Sequence, residues 1–137
     1  MTKIKYFYIC LLFLGLGVQQ SYSQTYRFKT SGFSVLEKNE RGKWGKWSDL
    51  SLVNILVTLD TNKNRILVYS QNIQLYEILT YQPESESESD LVYSFTCKDN
   101  DGVDCTVSII TRNKQDNRKQ LYITYSDHVI VYNIFTM

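Results

Sequence analysis

Histidine, proline and helical periodicity are all scarce in this chain. Among 137 residues there is one proline, Pro83, and one histidine, His128. The lack of sustained helical periodicity argues against a helical fold. His128 follows Ser126 and Asp127, but neighbours in a tight turn cannot adopt the geometry of a hydrolytic triad, and no second histidine exists to build another. No nucleotide-binding loop is present. We therefore expect a protein that is not an enzyme and that carries no cofactor.

The chain also lacks an excess of positive or negative charge, and it lacks apolar runs of membrane-spanning length. The formal net charge is +1, and it becomes −1 if a leader containing Lys3 and Lys5 is removed. A near-neutral chain argues against nucleic acid or an anionic membrane as the main partner, because those partners call for a basic field. No apolar stretch after the leader approaches membrane-spanning length. The expected partner is a protein, a glycan or a small molecule.

Residues 1–23 are predicted to be a signal peptide. Two lysines make the start of the chain positive, and Phe7 to Val18 form a short apolar run. In Ser21-Tyr22-Ser23, the two serines place small residues at the two positions that signal peptidase recognises. Residues 24–137 are long enough for a single core but not for two. We therefore expect one domain that is exported to the periplasm or secreted.

Short alternating segments rich in Val, Ile, Thr, Tyr and Phe recur along residues 24–137, with turn residues between them. They predict eight strands: Tyr26–Leu36, Leu50–Leu59, Arg65–Ser70, Ile73–Tyr81, Leu91–Lys98, Val103–Thr111, Gln120–Tyr125 and Val129–Phe135. Most connectors suit only a hairpin, so the prediction is an all-β antiparallel up-and-down meander. Closing it into a small barrel removes its exposed edges. A two-layer β-sandwich is the alternative.

The turns predict the register of the last four strands. Asp99–Val103 fits a three-residue hairpin loop with Gly102 in the left-handed conformation, which pairs Cys97 with Cys105. Counting in the same way from the turn at Ser126-Asp127, and from a longer loop centred near Gln115, extends the pairing to the last two strands. The resulting inward rows are Tyr93-Ile109-Leu121-Tyr132, Phe95-Val107-Ile123-Ile130 and Cys97-Cys105-Tyr125-His128.

The meander also sorts the loops to two ends of the barrel. At one end the acidic run Glu84–Asp90, interpreted as a solvated, mobile loop, faces the basic loop Arg112–Lys119. At the other end lies Glu37–Asp49, in which Trp44 and Trp47 stand beside glycines and lysines. The two tryptophans either plug the barrel end as core or form an aromatic platform for a sugar or another flat ligand. They are the candidate ligand-binding residues.

The third inward row brings Cys97, Cys105 and His128 to one end of the inner face. In an export compartment a cysteine pair is more often a disulfide than a metal site, and directly opposed residues have a compatible separation. We predict a Cys97–Cys105 disulfide. The alternatives are free buried thiols, or a zinc-like ion held by the two cysteines and His128.

Two resemblances follow from these residues. Gly42-Lys43-Trp44 and Gly45-Lys46-Trp47 are similar to the Gly-x-Trp pattern of lipocalin-like barrels, whose second motif, around Thr-Asp-Tyr, is not found. The leader and the Tyr-rich strands together resemble uncharacterised small exported β proteins of Bacteroidetes-type bacteria. That second resemblance implies a source and no activity.

The leading functional hypothesis is an exported, non-enzymatic binding module that uses the barrel interior or the tryptophan-bearing loop end. One alternative is a secreted interaction or inhibitor protein with a filled core, acting through polar loops; a second is a small hydrolase. An internal cavity favours the binding module. An interior filled by large side chains such as Tyr93, Phe95, Tyr125 and Tyr132 favours the interaction protein.

Overall fold

A computed structural model describes residues 24–137, so the predicted signal peptide lies outside the described residues. These residues form ten strands, all paired in antiparallel fashion, and within them no helix is long and apolar enough to cross a membrane. The strands are β1 Thr25–Glu37, β2 Ser51–Leu52, β3 Leu56–Asp60, β4 Arg65–Val68, β5 Gln74–Tyr81, β6 Ser85–Glu86, β7 Asp90–Lys98, β8 Asp104–Arg112, β9 Arg118–Thr124 and β10 His128–Thr136.

Eight of these strands form a closed antiparallel barrel, which confirms the predicted fold class. Going round the barrel, each pairs with the next in chain order: β1, β3, β4, β5, β7, β8, β9 and β10. The last strand, β10, returns to pair with β1 along nearly its whole length, from Phe28 opposite Thr136 to Glu37 opposite His128. The eight predicted strands correspond one to one to these eight. The two short strands, β2 and β6, are additions that pair with β1 and β7.

The predicted register of the last four strands is also confirmed. Cys97 lies opposite Cys105, and Ile123 lies opposite both Val107 and Ile130. The hairpin loop has the expected left-handed glycine, since Gly102 has a φ of 76°. The side chain of Asp99 accepts hydrogen bonds from the backbone N–H groups of Asp101 and Val103, each at 2.9 Å. Local turn chemistry therefore fixes which residues face inward over half of the barrel.

The predicted strand Leu50–Leu59 is interrupted, and the reason lies in β1. The register of β1 shifts between Thr30 and Gly32, which marks a β-bulge. Across from the bulge, the Oγ1 of buried Thr30 donates to the backbone oxygen of Val53 at 2.8 Å and accepts from the backbone N–H of Ile55 at 3.0 Å. A side-chain hydroxyl thus replaces part of the strand ladder and separates β2 from β3.

The acidic run is more ordered than predicted. Ser85 and Glu86 form β6, which pairs with the start of β7 through a tight turn. In that turn the backbone N–H of Ser87 donates to the backbone oxygen of Asp90 at 2.8 Å, and the Ser87 hydroxyl accepts from the backbone N–H of Asp90 at 3.0 Å. The serine side chain therefore supplies turn chemistry. The run is solvated as predicted, since residues 84–89 are exposed, but its assignment as a loop is wrong for Ser85 and Glu86.

The interior is filled at the end of the barrel that carries the tryptophan loop. The buried side chains Tyr76, Cys97, Cys105 and Tyr132 pack there, and Tyr125 packs against them. The ring of Phe33 lies 5.7 Å from that of Tyr132, centroid to centroid. The side chains of the three predicted inward rows supply much of this packing, but they do not fill the whole barrel.

Candidate binding cavity

A cavity of about 890 Å³ occupies the barrel end opposite the tryptophan loop. Its volume falls within the range of ligand-binding cavities in proteins. Within the described residues its lining contains no aspartate, glutamate, histidine or cysteine. The lining residues are Thr25, Tyr26, Arg27, Phe28, Leu59, Thr61, Tyr81, Leu91, Tyr93, Phe95, Ile109, Thr111, Lys119, Thr136 and Met137.

The wall of the cavity is aromatic and aliphatic. The ring of Tyr81 meets that of Phe95 edge to face, with centroids 5.5 Å apart, above the filled half of the barrel. Tyr26, Tyr81 and Tyr93 line the cavity and are nonetheless exposed. Tyr93 belongs to a predicted inward row, but it stands where the interior is open to solvent. The cavity therefore offers aromatic surface that a ligand can reach.

Lys119 and Thr111 both line the cavity, and their side chains are hydrogen-bonded to each other. Among the described residues, no other side-chain to side-chain hydrogen bond joins two lining residues on neighbouring strands. Lys119 and Thr111 are paired in the register of β8 and β9, and the Lys119 Nζ donates to the Thr111 Oγ1 at 2.9 Å. The prediction missed Lys119 because it began this strand at Gln120. The strand begins at Arg118, and Lys119 continues the inward alternation of Leu121 and Ile123. Extending that alternation by two residues would have found it.

The acidic run and the basic loop meet at the cavity end, as predicted. Arg112 pairs with Asp90, with an Nη1–Oδ1 distance of 3.1 Å, and the backbone N–H of Asn113 donates to the backbone oxygen of Ser89 at 2.8 Å. Lys114 and Glu88 make a longer, exposed contact of 3.8 Å. Exposed pairs of this kind orient loops more than they stabilise them. The two loops lie at the same end of the barrel as the cavity.

Trp44 and Trp47 lie at the other end of the molecule and do not line the cavity. The loop that carries them is tied to the β9–β10 turn by a 2.9 Å hydrogen bond from the backbone N–H of Lys38 to the backbone oxygen of Asp127. Trp44 is 46% exposed and Trp47 is 45% exposed. The alternative that they plug the barrel as core is therefore wrong. The Lys38 ammonium lies over the Trp44 ring, 4.8 Å from its centroid.

The two cysteines are free, buried thiols in the structure, so the predicted Cys97–Cys105 disulfide is not formed in it. They lie opposite each other as predicted, but the Cys97 Sγ donates to the backbone oxygen of Phe95 at 3.6 Å rather than bonding to Cys105. Burial, together with the neighbouring cysteine, raises the pKa of Cys97 to about 12. Burial, with nearby Asp99, raises the pKa of Cys105 to about 11. Both thiols are therefore protonated and unreactive at neutral pH.

His128 does not join the cysteines, so the proposed metal site is not assembled. Its ring stacks on Tyr125 with centroids 4.4 Å apart, and its Nδ1 lies 2.7 Å from the Asp127 Oδ1. Among residues 24–137, no group of three His, Cys, Asp or Glu side chains is placed to hold a metal ion.

Comparisons of the chain with protein-family models, with curated proteins and with solved structures find no match.

Proposed function

We propose that this protein is an exported, non-enzymatic binding protein that holds a small, mainly apolar ligand in the open end of its barrel. The observation that carries the proposal is the 890 Å³ cavity and its wall of aromatic and aliphatic side chains. Apolar cavities with a few convergent polar groups are the usual form of small-molecule sites. The predicted signal peptide supports a role outside the cytoplasm.

The division of the barrel interior favours binding over action through polar loops alone. A completely filled interior would favour action through the surface alone, and here only one end is filled. Phe95 marks the boundary: its ring packs in the core cluster and also lines the cavity. The packed half gives the cavity a rigid floor, which lowers the entropic cost of binding because little has to be ordered on ligand entry.

The test uses a neutral fluorescent probe, N-phenyl-1-naphthylamine, whose emission rises when it leaves water. The mature chain, residues 24–137, is titrated with the probe, and saturable binding is expected. A Leu91→Trp variant places a large side chain on the cavity wall and is expected to weaken binding strongly. The matched control is Leu79→Trp, at an exposed leucine that does not line the cavity. An absence of saturable binding to the unmodified protein would overturn the proposal.

A second candidate function uses the tryptophan loop as a platform for a glycan or a partner protein. It is favoured by the exposure of both Trp44 and Trp47, whose indole side chains are nearly half exposed. Envelope and medium fractions are passed over the immobilised protein and over a Trp44→Ala/Trp47→Ala variant. A glycan or protein retained only by the unmodified chain supports this function, and equal retention by both contradicts it. The double variant is expected to bind the neutral probe normally.

A further inference from the structure

We propose that the ligand of the cavity carries an anionic head group, most simply a carboxylate, and that Lys119 and Thr111 bind it. This inference rests on the proposed function, because it assigns the chemistry of the ligand in the same cavity. The ligand class is a monoanionic amphiphile, with the apolar body against the aromatic wall and the head group at Lys119.

The first support is the position of the two side chains. Lys119 and Thr111 are direct partners on β9 and β8, and both line the cavity. Their 2.9 Å hydrogen bond holds the ammonium against the wall, and Thr111 itself is only 6% exposed. A head-group site built on two paired strands is more precisely held than one built on a loop.

The second support is the uncompensated charge of Lys119. The ion pairs of the described residues involve Lys98, Arg112, Lys114 and His128, and none involves Lys119. Among the described residues, no aspartate or glutamate side chain lines the cavity to balance it. A lysine ammonium has three donors, and the contact with Thr111 uses one of them. The positive charge and the two remaining donors can therefore meet an incoming anion.

The third support comes from the acidic groups at the same end of the barrel. Asp90 is paired with Arg112 and Glu88 contacts Lys114, while Glu84 accepts a 3.3 Å hydrogen bond from the Tyr93 hydroxyl. These three carboxylates are thus engaged by groups other than Lys119.

The wall of the cavity defines the rest of the ligand. Phe28, Phe95 and Ile109 are buried side chains of the core cluster whose surfaces form the apolar part of the lining. A carboxylate can accept from an ammonium and a hydroxyl together, and charge-assisted bonds of this kind are stronger than neutral ones. An alkyl or flat apolar body attached to such a head group would meet both parts of the site.

The test compares two probes that differ only in the head group, dodecanoate and 1-dodecanol. Each is titrated into the mature protein loaded with N-phenyl-1-naphthylamine, and displacement gives its dissociation constant. For the unmodified protein, dodecanoate is expected to bind about tenfold more tightly than dodecanol or better, as one charge-assisted hydrogen bond implies. Lys119→Met is expected to remove that preference. Thr111→Val is expected to reduce it.

The matched control is Lys114→Met, which removes an exposed lysine of the neighbouring loop that does not line the cavity. It is expected to keep the full preference for dodecanoate. Equal binding of the two probes by the unmodified protein would overturn the inference whether or not the variants fold, and so would a preference that survives Lys119→Met. In either case the proposed function stands if N-phenyl-1-naphthylamine still binds. If that neutral probe does not bind, the proposed function itself fails.

Discussion

The phenol of Tyr125 donates a 2.7 Å hydrogen bond to the Oδ2 of Asp99. The bond joins the residue that follows β9 to the residue that opens the β7–β8 hairpin loop. Burial and this bond raise the pKa of Tyr125. Burial acts to raise the pKa of Asp99, but the hydrogen bonds from Tyr125 and from the backbone N–H groups of Val103 and Asp101 outweigh it and hold that pKa below its ordinary value of 3.8. The filled end of the barrel is thus closed by a carboxylate that is most strongly bound when ionised.

Tyr125→Phe is therefore expected to destabilise the fold in a pH-dependent way. The ring and its packing remain, and the bond to Asp99 is lost, at a cost of about 1 kcal/mol at neutral pH. A carboxyl group with a lowered pKa stabilises the fold above its unfolded pKa, and it loses that contribution as the pH falls through its folded pKa. The penalty is therefore expected to shrink in strong acid. Urea unfolding of both proteins at neutral and at strongly acidic pH measures it.

Tyr69→Phe is the control for this experiment, because Tyr69 is exposed and its hydroxyl makes no hydrogen bond in the described residues. It is expected to change the unfolding free energy little at either pH. A Tyr125→Phe penalty that is equal at neutral and acidic pH would show that the bond to ionised Asp99 is not its source.

The same hairpin shows why so much of the fold could be predicted from the sequence. Asp99 and Gly102 fix one turn type, that turn fixes one register, and the alternation of Phe95 and Val107 agrees with it. The local turn preference and the inward-facing pattern of the two strands favour the same pairing, so one register satisfies both. The closure of β10 on β1 also follows from the need to cover strand edges.

The cavity and the state of the cysteines could not be predicted in this way. Inward alternation indicates which face Tyr93 and Phe95 occupy, but not how far the packed interior extends along the barrel axis. Lys119 was assigned to a basic loop because a charged residue at a strand end resembles a loop residue. Cys97 and Cys105 were placed opposite each other, yet opposition does not determine where each sulfur points. These features depend on side-chain packing between distant strands.

The hydroxyl of Thr30 is expected to be important for stability because it bridges the gap between β2 and β3. Thr30→Val keeps the shape of the side chain but leaves the backbone oxygen of Val53 and the backbone N–H of Ile55 without this partner. Since Thr30 is buried, each unsatisfied group carries a desolvation penalty, and a loss of about 2–3 kcal/mol is expected in total. Chemical denaturation at neutral pH measures the loss.

Thr58→Val is the matched control, because Thr58 is also a buried strand threonine and its hydroxyl makes no hydrogen bond in the described residues. It is expected to be neutral or slightly stabilising. Equal losses for Thr30→Val and Thr58→Val would contradict the assigned bridging role. Amide exchange at Ile55 provides a second measurement, since this N–H is expected to exchange faster in Thr30→Val alone.

The buried thiols are expected to resist modification and to make the fold sensitive to alkali. Iodoacetamide added without reductant is expected to modify neither Cys97 nor Cys105 in the folded protein, and to modify both once denaturant is present. Intact mass counts the adducts. If neither cysteine reacts in denaturant, the two are bridged and the free-thiol state is wrong.

The alkaline effect follows from the direction of the pKa shifts. Both thiols have an ordinary pKa of 9.0, and burial raises it to about 12 for Cys97 and about 11 for Cys105. The folded protein favours the protonated thiols. Their contribution to the free energy of unfolding is therefore fully present below the ordinary pKa, and it is lost as the pH rises through the two raised pKa values of the folded state. Unfolding free energies are therefore expected to fall above pH 9.0.

A Cys97→Ala/Cys105→Ala variant is less stable at neutral pH because it leaves a cavity, but the decline of its unfolding free energy just above pH 9.0 is expected to be shallower. Buried tyrosines such as Tyr76 also have a raised pKa, and they extend the decline at higher pH in both proteins.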